Sequence, residues 1–304
     1  SMMQTLRIGT RGSPLALVQA RLVATALRDA HGWGGERIEI VPITTTGDQV
    51  RDRPLAEIGG KALWTRELDR ALREGITHIS VHSMKDVETG RPPELAIVAM
   101  LPRADVRDRL IGAASVDALP HGARLGTSSP RRMAQMLARR PDLCIVPLRG
   151  NVDTRLRKIA TGEADATLLA SAGLDRLGKR DVGVVLDDFL PAPAQGAVGI
   201  EARADDRKTG LILGAIDHRP THLCVSAERR LLEGLGGNCH SPIGALATLE
   251  DGQIRLRAEL MSQDGALIES GETRFDPEDR DAPLALARQM LARAAPSIRA
   301  LFDG

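Results

Sequence analysis

The chain has 304 residues, 42% of them hydrophobic, with 41 Lys and Arg against 40 Asp and Glu and a formal net charge of +1. That balance lacks the positive field with which a nucleic-acid binder neutralises a phosphate backbone, and an aromatic share of 2% with no Tyr leaves no base-stacking platform. No apolar run reaches the roughly 18 residues of a membrane span, and three widely spaced cysteines, Cys144, Cys224 and Cys239, favour neither a disulfide framework nor a paired-cysteine metal site.

Ser1 ahead of Met2 resembles an expression remnant, and no charged-then-apolar leader follows, so the cytoplasm is the expected compartment. Leu6 to Gly9 is predicted as a strand. Ser13 then caps a helix with Pro14 at its first position and Leu15, Val18, Leu22 and Ala26 along one face. Ile38 to Ile43 is a second strand. Thr44 to Gly60 has turn residues and little periodicity, and reads as a mobile loop over a site. A helix over Lys61 to Glu74 is stopped by Gly75, and strands follow at Ile76 to His82, by alternation, and at Leu95 to Leu101.

A second α/β unit has a helix from Pro130 to Arg139 capped by Ser129, a strand at Leu143 to Leu148, a helix to Ala160 capped by Asn151, and a buried strand at Ala166 to Ala170. Pro191 to Gly196 interrupts the pattern as a crossover before a strand at Ala197 to Glu201. A helix from Thr221 to about Glu233, strands at Ala245 to Leu249, Ile254 to Leu260 and Ala266 to Ser270, and a helix at Ala282 to Ala294 make a small α+β end. Alternating strands and helices predict parallel sheets, whose ligands sit at strand C-terminal ends.

At those ends arginine recurs inside Gly- and Ser-rich turns that open helices: Arg11 with Ser13, Thr127 to Arg132, Arg149 with Gly150, Arg155 and Arg176. A helix N-terminus offers unpaired N–H groups and a guanidinium offers a planar fork, so repeated turns of this kind predict a small, enclosed polyanion as ligand. Asp86, in the run Val81 to Val87, is a carboxylate among neutral and cationic neighbours, suited to stabilise positive charge or carry a proton, or simply to cap a turn. His78, His82 and Asp86 are four apart, a helical spacing in a strand-like segment, so no metal is expected there. Cys144 and Cys224 read as small apolar residues, whereas Cys239 lies in a glycine-rich loop and reads as a covalent attachment point. These residues alone also fit a bilobal binding protein for a carboxylate solute.

The ordered stretches Gly9 to Leu17, Gly59 to Leu63, Val81 to Val87, Gly126 to Arg132, Leu148 to Leu156, Ala194 to Gly196 and Cys239 to Gly244 resemble the porphobilinogen deaminase (hydroxymethylbilane synthase) family along nearly the whole chain. The resemblance implies an α/β fold of two periplasmic-binding-protein-like lobes with mixed, mostly parallel sheets, plus a small α+β third domain. Domain 1 would be 1–101 with 197–218, domain 2 would be 102–196, and domain 3 would be 219–304 with the cofactor cysteine. It implies a cytoplasmic, monomeric transferase that joins four porphobilinogen molecules head to tail into hydroxymethylbilane with release of ammonia. The primer would be a dipyrromethane cofactor held by thioether to Cys239, and its carboxylates would account for the arginine turns. Neither nucleic acid, membrane nor metal enters this scheme.

Carried over by motif, Asp86 is the catalytic group, and Arg11, Ser13, Arg149, Arg155 and Arg176 take substrate carboxylates. Lys85, Ser83, Thr127, Ser128, Ser129, Arg131, Arg132, Gly150 and Arg155 hold the cofactor. Three positions depart from the family pattern: Glu57 in place of a common lysine, Trp64 in place of a common phenylalanine, and Asn238 in place of a frequent glycine.

Overall fold

The computed structural model describes residues 4–45 and 64–302. The expected loop from residue 46 onward, Glu57, the opening of the helix expected from Lys61, and Ser1 lie outside the described residues. The chain divides into two compact units, Ser1–Ala104 with Gly196–His222, and Asp105–Gln195 with Leu223–Gly304.

In the first unit β1 (Leu6–Arg11), β2 (Ile38–Ile43), β3 (Ile79–Ser83), β4 (Leu95–Met100) and β10 (Val198–Arg203) form one sheet in the order β2-β1-β3-β10-β4. β1 pairs in parallel with β2, from Leu6 against Ile38 to Arg11 against Ile43, and also with β3. β10 runs antiparallel to both β3 and β4, so four strands share one direction and β10 alone is reversed. β3 is buried along Ile79 to His82 rather than alternating, because helices cover both faces, and Ile76 is left exposed outside it.

Helix α1 (Pro14–His31) starts where expected: the Ala16 N–H donates to Ser13 Oγ at 3.3 Å, and Gly32 closes the helix at φ 66°. Its buried stripe is Ala20, Val23, Ala24 and Leu27, not the expected Leu15, Val18, Leu22 and Ala26, and Leu22 is 42% exposed. Arg21, Thr25, Arg28 and Asp29 recur at helical spacing on the side away from that stripe, and the expected face lay beside them instead of opposite them. The alanine-rich stripe allows the closer approach to the sheet, where it joins Ile8, Ile79 and Ile200 in one core. Helix α2 (Arg66–Arg73) and the later α6 (Arg207–Gly214) complete the unit.

The second unit holds two sheets. One has the order β7-β6-β8-β5-β9, built from β5 (Asp108–Ile111), β6 (Arg124–Gly126), β7 (Cys144–Val146), β8 (Ala166–Ala170) and β9 (Val184–Leu186). Here β5 is the reversed strand, antiparallel to β8 and β9, while β6 is parallel to β7 and β8. Helices α3 (Pro130–Arg139), α4 (Val152–Ala160) and α5 (Ser171–Arg176) join these strands. Cys144 opens edge strand β7 and is exposed, so it is not the buried apolar residue expected.

The other sheet is antiparallel, β11 (Ile243–Glu250), β12 (Gln253–Met261) and β13 (Ile268–Phe275) in order. One face packs Ala245, Leu256 and Leu260 onto Leu231 of α7 (Arg219–Gly234), Leu286 and Met290 of α8 (Ala282–Arg293), and Phe302 beyond α9 (Pro296–Arg299). Burial alternates along β12, the pattern of a sheet covered on one side. Among the described residues no helix is long and apolar enough to cross a membrane.

Candidate functional site

In the first unit the candidate residues gather at the C-terminal ends of β1 and β3. Arg11 ends β1, and its guanidinium carbon stands 4.0 Å over the centroid of the Trp64 ring, a cation–π contact. Ser83 ends β3 and its Oγ accepts from Gln19 Nε2 at 2.9 Å, tying α1 to the strand. The next three residues, Met84–Asp86, make a single 3₁₀ turn closed by the Val87 N–H on the Met84 carbonyl at 3.2 Å.

This turn is anchored through Met84, which is fully buried and packs onto Gly199 of β10. A Cβ at Gly199 would lie 2.1 Å from Met84 Sδ, so any larger residue there would make the Met84 side chain move. With Met84 fixed inward, Lys85 and Asp86 are half-buried. Arg11, Gln19, Trp64, His82, Ser83 and Asp86 line a small recess that opens to solvent.

His78 and His82 have separate partners. His78 Nδ1 accepts from the Arg7 N–H at 2.9 Å, whereas His82 Nε2 lies 2.8 Å from Glu201 Oε1. Among the described residues no group of three or more His, Cys, Asp or Glu is placed to hold a metal ion.

In the second unit two adjacent turns carry the remaining arginines. Ser129 caps α3 by accepting the Arg132 N–H at 3.2 Å, and Thr127 Oγ1 accepts the Ser129 N–H at 3.1 Å. Ser128 Oγ reaches across to Leu148, donating to its carbonyl at 3.2 Å and lying 3.3 Å from its N–H, which holds the two turns side by side. Gly150 has φ 124° and opens onto α4, which Asn151 caps by accepting the Thr154 N–H at 2.8 Å. Arg149 and Arg155 flank that turn, both half-buried.

Arg131 and Arg132 are buried and already engaged. Asp108 Oδ2 accepts from Arg131 Nη2 at 3.1 Å and from Arg132 Nε at 3.2 Å, while Oδ1 accepts from Arg132 Nη2 at 3.0 Å and from Gln195 Nε2 at 2.8 Å. Arg131 also donates to Gln195 Oε1 at 3.2 Å and to Gln135 Oε1 at 2.9 Å. Asp108 thus fixes both guanidinium groups from one side. Burial pulls the Arg131 guanidinium below its ordinary range against the opposing pull of Asp108. Burial acts the same way on Arg176 at the end of α5, where Asp175 opposes it. Asp175 is itself paired with Arg109.

Cys239 is exposed in the loop between α7 and β11. Asn238 orders that loop: its Oδ1 accepts the His240 N–H at 2.8 Å and its N–H donates to Ser241 Oγ at 2.9 Å. Upstream, buried Glu228 of α7 accepts the N–H groups of Ala194 at 2.7 Å and Ala247 at 2.8 Å. Ala194 has φ 69°, the left-handed region, and leads directly into Gln195.

Sequence reasoning expected these residues at strand ends; Arg11, Ser13, Ser83, Lys85 and Asp86 lie in the first unit, and Thr127 to Arg132, Arg149, Gly150, Arg155 and Arg176 in the second. It did not find Asp108, Gln195 as its partner, or Gln19. Gln195 lay in a noted motif, but Asp108 stands in the charge-rich run Ala104 to Leu110 with no local mark of its role.

The family model described as "Porphobilinogen deaminase, dipyromethane cofactor binding domain" matches residues 6–210, and "Porphobilinogen deaminase, C-terminal domain" matches 222–292. A porphobilinogen deaminase of Sphingopyxis alaskensis is 57% identical over 98% of this chain and 96% of its own. That of Paracoccus denitrificans is 49% identical over 95% of this chain and 94% of its own. Among solved structures, an ancestral cationic amino acid solute binding protein is similar over 76% of this chain and 91% of its own, at 18% identity and a TM-score of 0.44. Family models over most of the chain, and relatives of that identity along nearly all of it, establish that this chain belongs to the porphobilinogen deaminase family.

Proposed function

We propose that this chain is a transferase of tetrapyrrole biosynthesis that joins four porphobilinogen molecules head to tail into hydroxymethylbilane with release of ammonia, on a dipyrromethane held by thioether at Cys239. The observation that carries the reading is Asp86 on a turn seated by Met84 and Gly199, beside Arg11 at an open recess. A solute-binding protein without catalysis is not favoured, because both porphobilinogen deaminase family models match this chain.

The side chains fit an anionic pyrrole cofactor: an exposed thiol on an ordered loop, and buried guanidinium groups that Asp108 fixes from one side. When bound, the dipyrromethane supplies a nucleophilic pyrrole carbon to which the first substrate is joined. Lys85, Ser83, Thr127, Ser128, Ser129, Arg131, Arg132, Gly150 and Arg155 hold its carboxylates by charge-assisted hydrogen bonds. Arg11, Ser13, Arg149, Arg155 and Arg176 orient the acetate and propionate of the incoming porphobilinogen. Asp86 stabilises the positive charge that develops on the substrate pyrrole as ammonia leaves, and accepts the proton lost from the attacked ring carbon. Residues 219–304 serve as the domain that presents Cys239, in addition to lobes 1–101 with 197–218 and 102–196. The protein works as a cytoplasmic monomer, without nucleic acid or membrane.

Intact mass after incubation with porphobilinogen tests the reading. The expected result is a mass above that of the chain, mapping to the peptide of Cys239 and absent in Cys239→Ser. A protein that retains only its chain mass would refute covalent priming.

A further inference from the structure

Behind the recess lies a set of ionic side chains that none of these steps uses. Arg91, five residues beyond Asp86, has a side chain only 8% exposed and reaches four segments. Its Nε and Nη2 donate to the two oxygens of Glu201 on β10 at 2.9 and 2.7 Å, and Nη2 also donates to Asp69 of α2 at 2.6 Å. Its Nη1 donates to Thr65 Oγ1 at 3.2 Å and to Glu88 at 3.0 Å. Glu201 is fully buried and is shared with His82, which borders the recess.

Burial pushes the Glu201 carboxyl up, but His82 and Arg91 outweigh it and hold the group at about 2, so it is ionised at neutral pH. At Asp69 burial prevails over Arg91 and the carboxyl titrates above its ordinary range. An array of this kind is a poor source of stability, since well-packed apolar groups do as well or better, but it fixes geometry.

The segments it fixes are the walls of the recess. Thr65 follows Trp64, the ring beneath Arg11. Glu88 lies two residues past Asp86, and His82 precedes Ser83 at the entry to the turn. We propose that Arg91 is a positioning residue that clamps the Asp86 turn and the Trp64–Thr65 step to β10 and α2 as one rigid wall. The proposal rests on the reading of Asp86 given above. Arg91 touches no substrate, because its donors point to protein partners on every side.

Arg91→Lys keeps the charge and can still meet Glu201, but it cannot span Thr65, Glu88 and Asp69 at once. In a Trp33→Phe background, which leaves Trp64 as the sole tryptophan, this variant should make Trp64 emission more quenchable by acrylamide in the resting protein. It should lower kcat by roughly 10- to 100-fold with KM within about twofold, the scale of a small misplacement of reacting groups. Glu88→Gln, at a partly exposed position, should show the same signs more weakly and carries the comparison if Arg91→Lys does not fold.

A variant that melts earlier yet keeps parental kcat, KM and quenching would overturn the proposal and leave Arg91 a structural ion pair. More quenching with unchanged kcat would overturn the clamp on Asp86. If Asp86→Asn turned over normally, the reading of Asp86 would fail instead, while the quenching comparison would still decide whether Arg91 holds the Trp64 wall.

Discussion

Asp108→Asn is the sharpest test of how the second unit presents its arginines. The carboxylate takes four donors on two oxygens, from Arg131, twice from Arg132, and from Gln195, at 2.8 to 3.2 Å, and it is buried. Asparagine has nearly the same volume but replaces one acceptor oxygen with an NH₂ group that must face guanidinium N–H groups. It also leaves two buried positive charges uncompensated. Breaking a buried pair by removing one partner costs about 3–5 kcal/mol. At roughly 2–4 °C per kcal/mol for a body of this size, the unfolding midpoint should fall by about 10 °C.

The assay is thermal unfolding by circular dichroism near neutral pH, repeated for Arg132→Gln and for the double variant. Because the two residues share one network, the double variant should lose less than the sum of the singles. Added sulfate should restore part of the loss in Asp108→Asn, since an anion can replace the missing charge. A midpoint within about 2 °C of the parent would refute the reading that Asp108 sets the arginine pair.

Other expectations follow from the same groups. Asp86→Asn should cut turnover by about 10²- to 10⁴-fold while the mass addition at Cys239 persists, and unchanged steady-state turnover would exclude Asp86 from the chemistry. Arg149→Lys keeps charge but loses the bidentate fork, so kcat/KM should fall by roughly 10- to 100-fold, and a near-normal value would count against a carboxylate contact there. Glu201 is held at about 2 against an ordinary 4.5, a lowered folded-state value, so its stabilisation is full above about 4.5 and is lost as pH falls toward 2. Its size is on the order of 3 kcal/mol. Urea unfolding of parent and Glu201→Gln should therefore differ most near pH 6, with the gap narrowing steadily below pH 4.5 toward pH 2. A gap independent of pH would contradict the assignment.

The parts of the molecule legible from the chain were those in which one local rule acts alone. Ser13, Ser129 and Asn151 cap helices as their sequence positions indicate, because a short polar side chain before a proline or an acidic first turn meets the same orphan N–H groups wherever it folds. The arginine turns were legible for the same reason. Strands β5, β6 and β9 were not, since three or four residues give no periodicity, and each is a strand only because longer neighbours accept its hydrogen bonds. The buried face of α1 was legible and was misread: Arg21, Thr25 and Asp29 mark its exposed side, where Leu22 also lies. Arg91, Glu201 and Asp108 were invisible as site-forming residues for a different reason: their partners lie far along the chain, and a charged residue in a charge-rich segment looks like any solvated one.

Glu228 has a mechanical consequence. A single carboxylate inside the second unit holds the backbone of Ala194, bent into a conformation that costs a non-glycine residue about 1–2 kcal/mol, and the backbone of Ala247 in β11. The next residue after that bend, Gln195, grips Asp108. The crossover bend, the first strand of the antiparallel sheet and the carboxylate between the two arginines are thus linked through one acceptor and one residue of backbone.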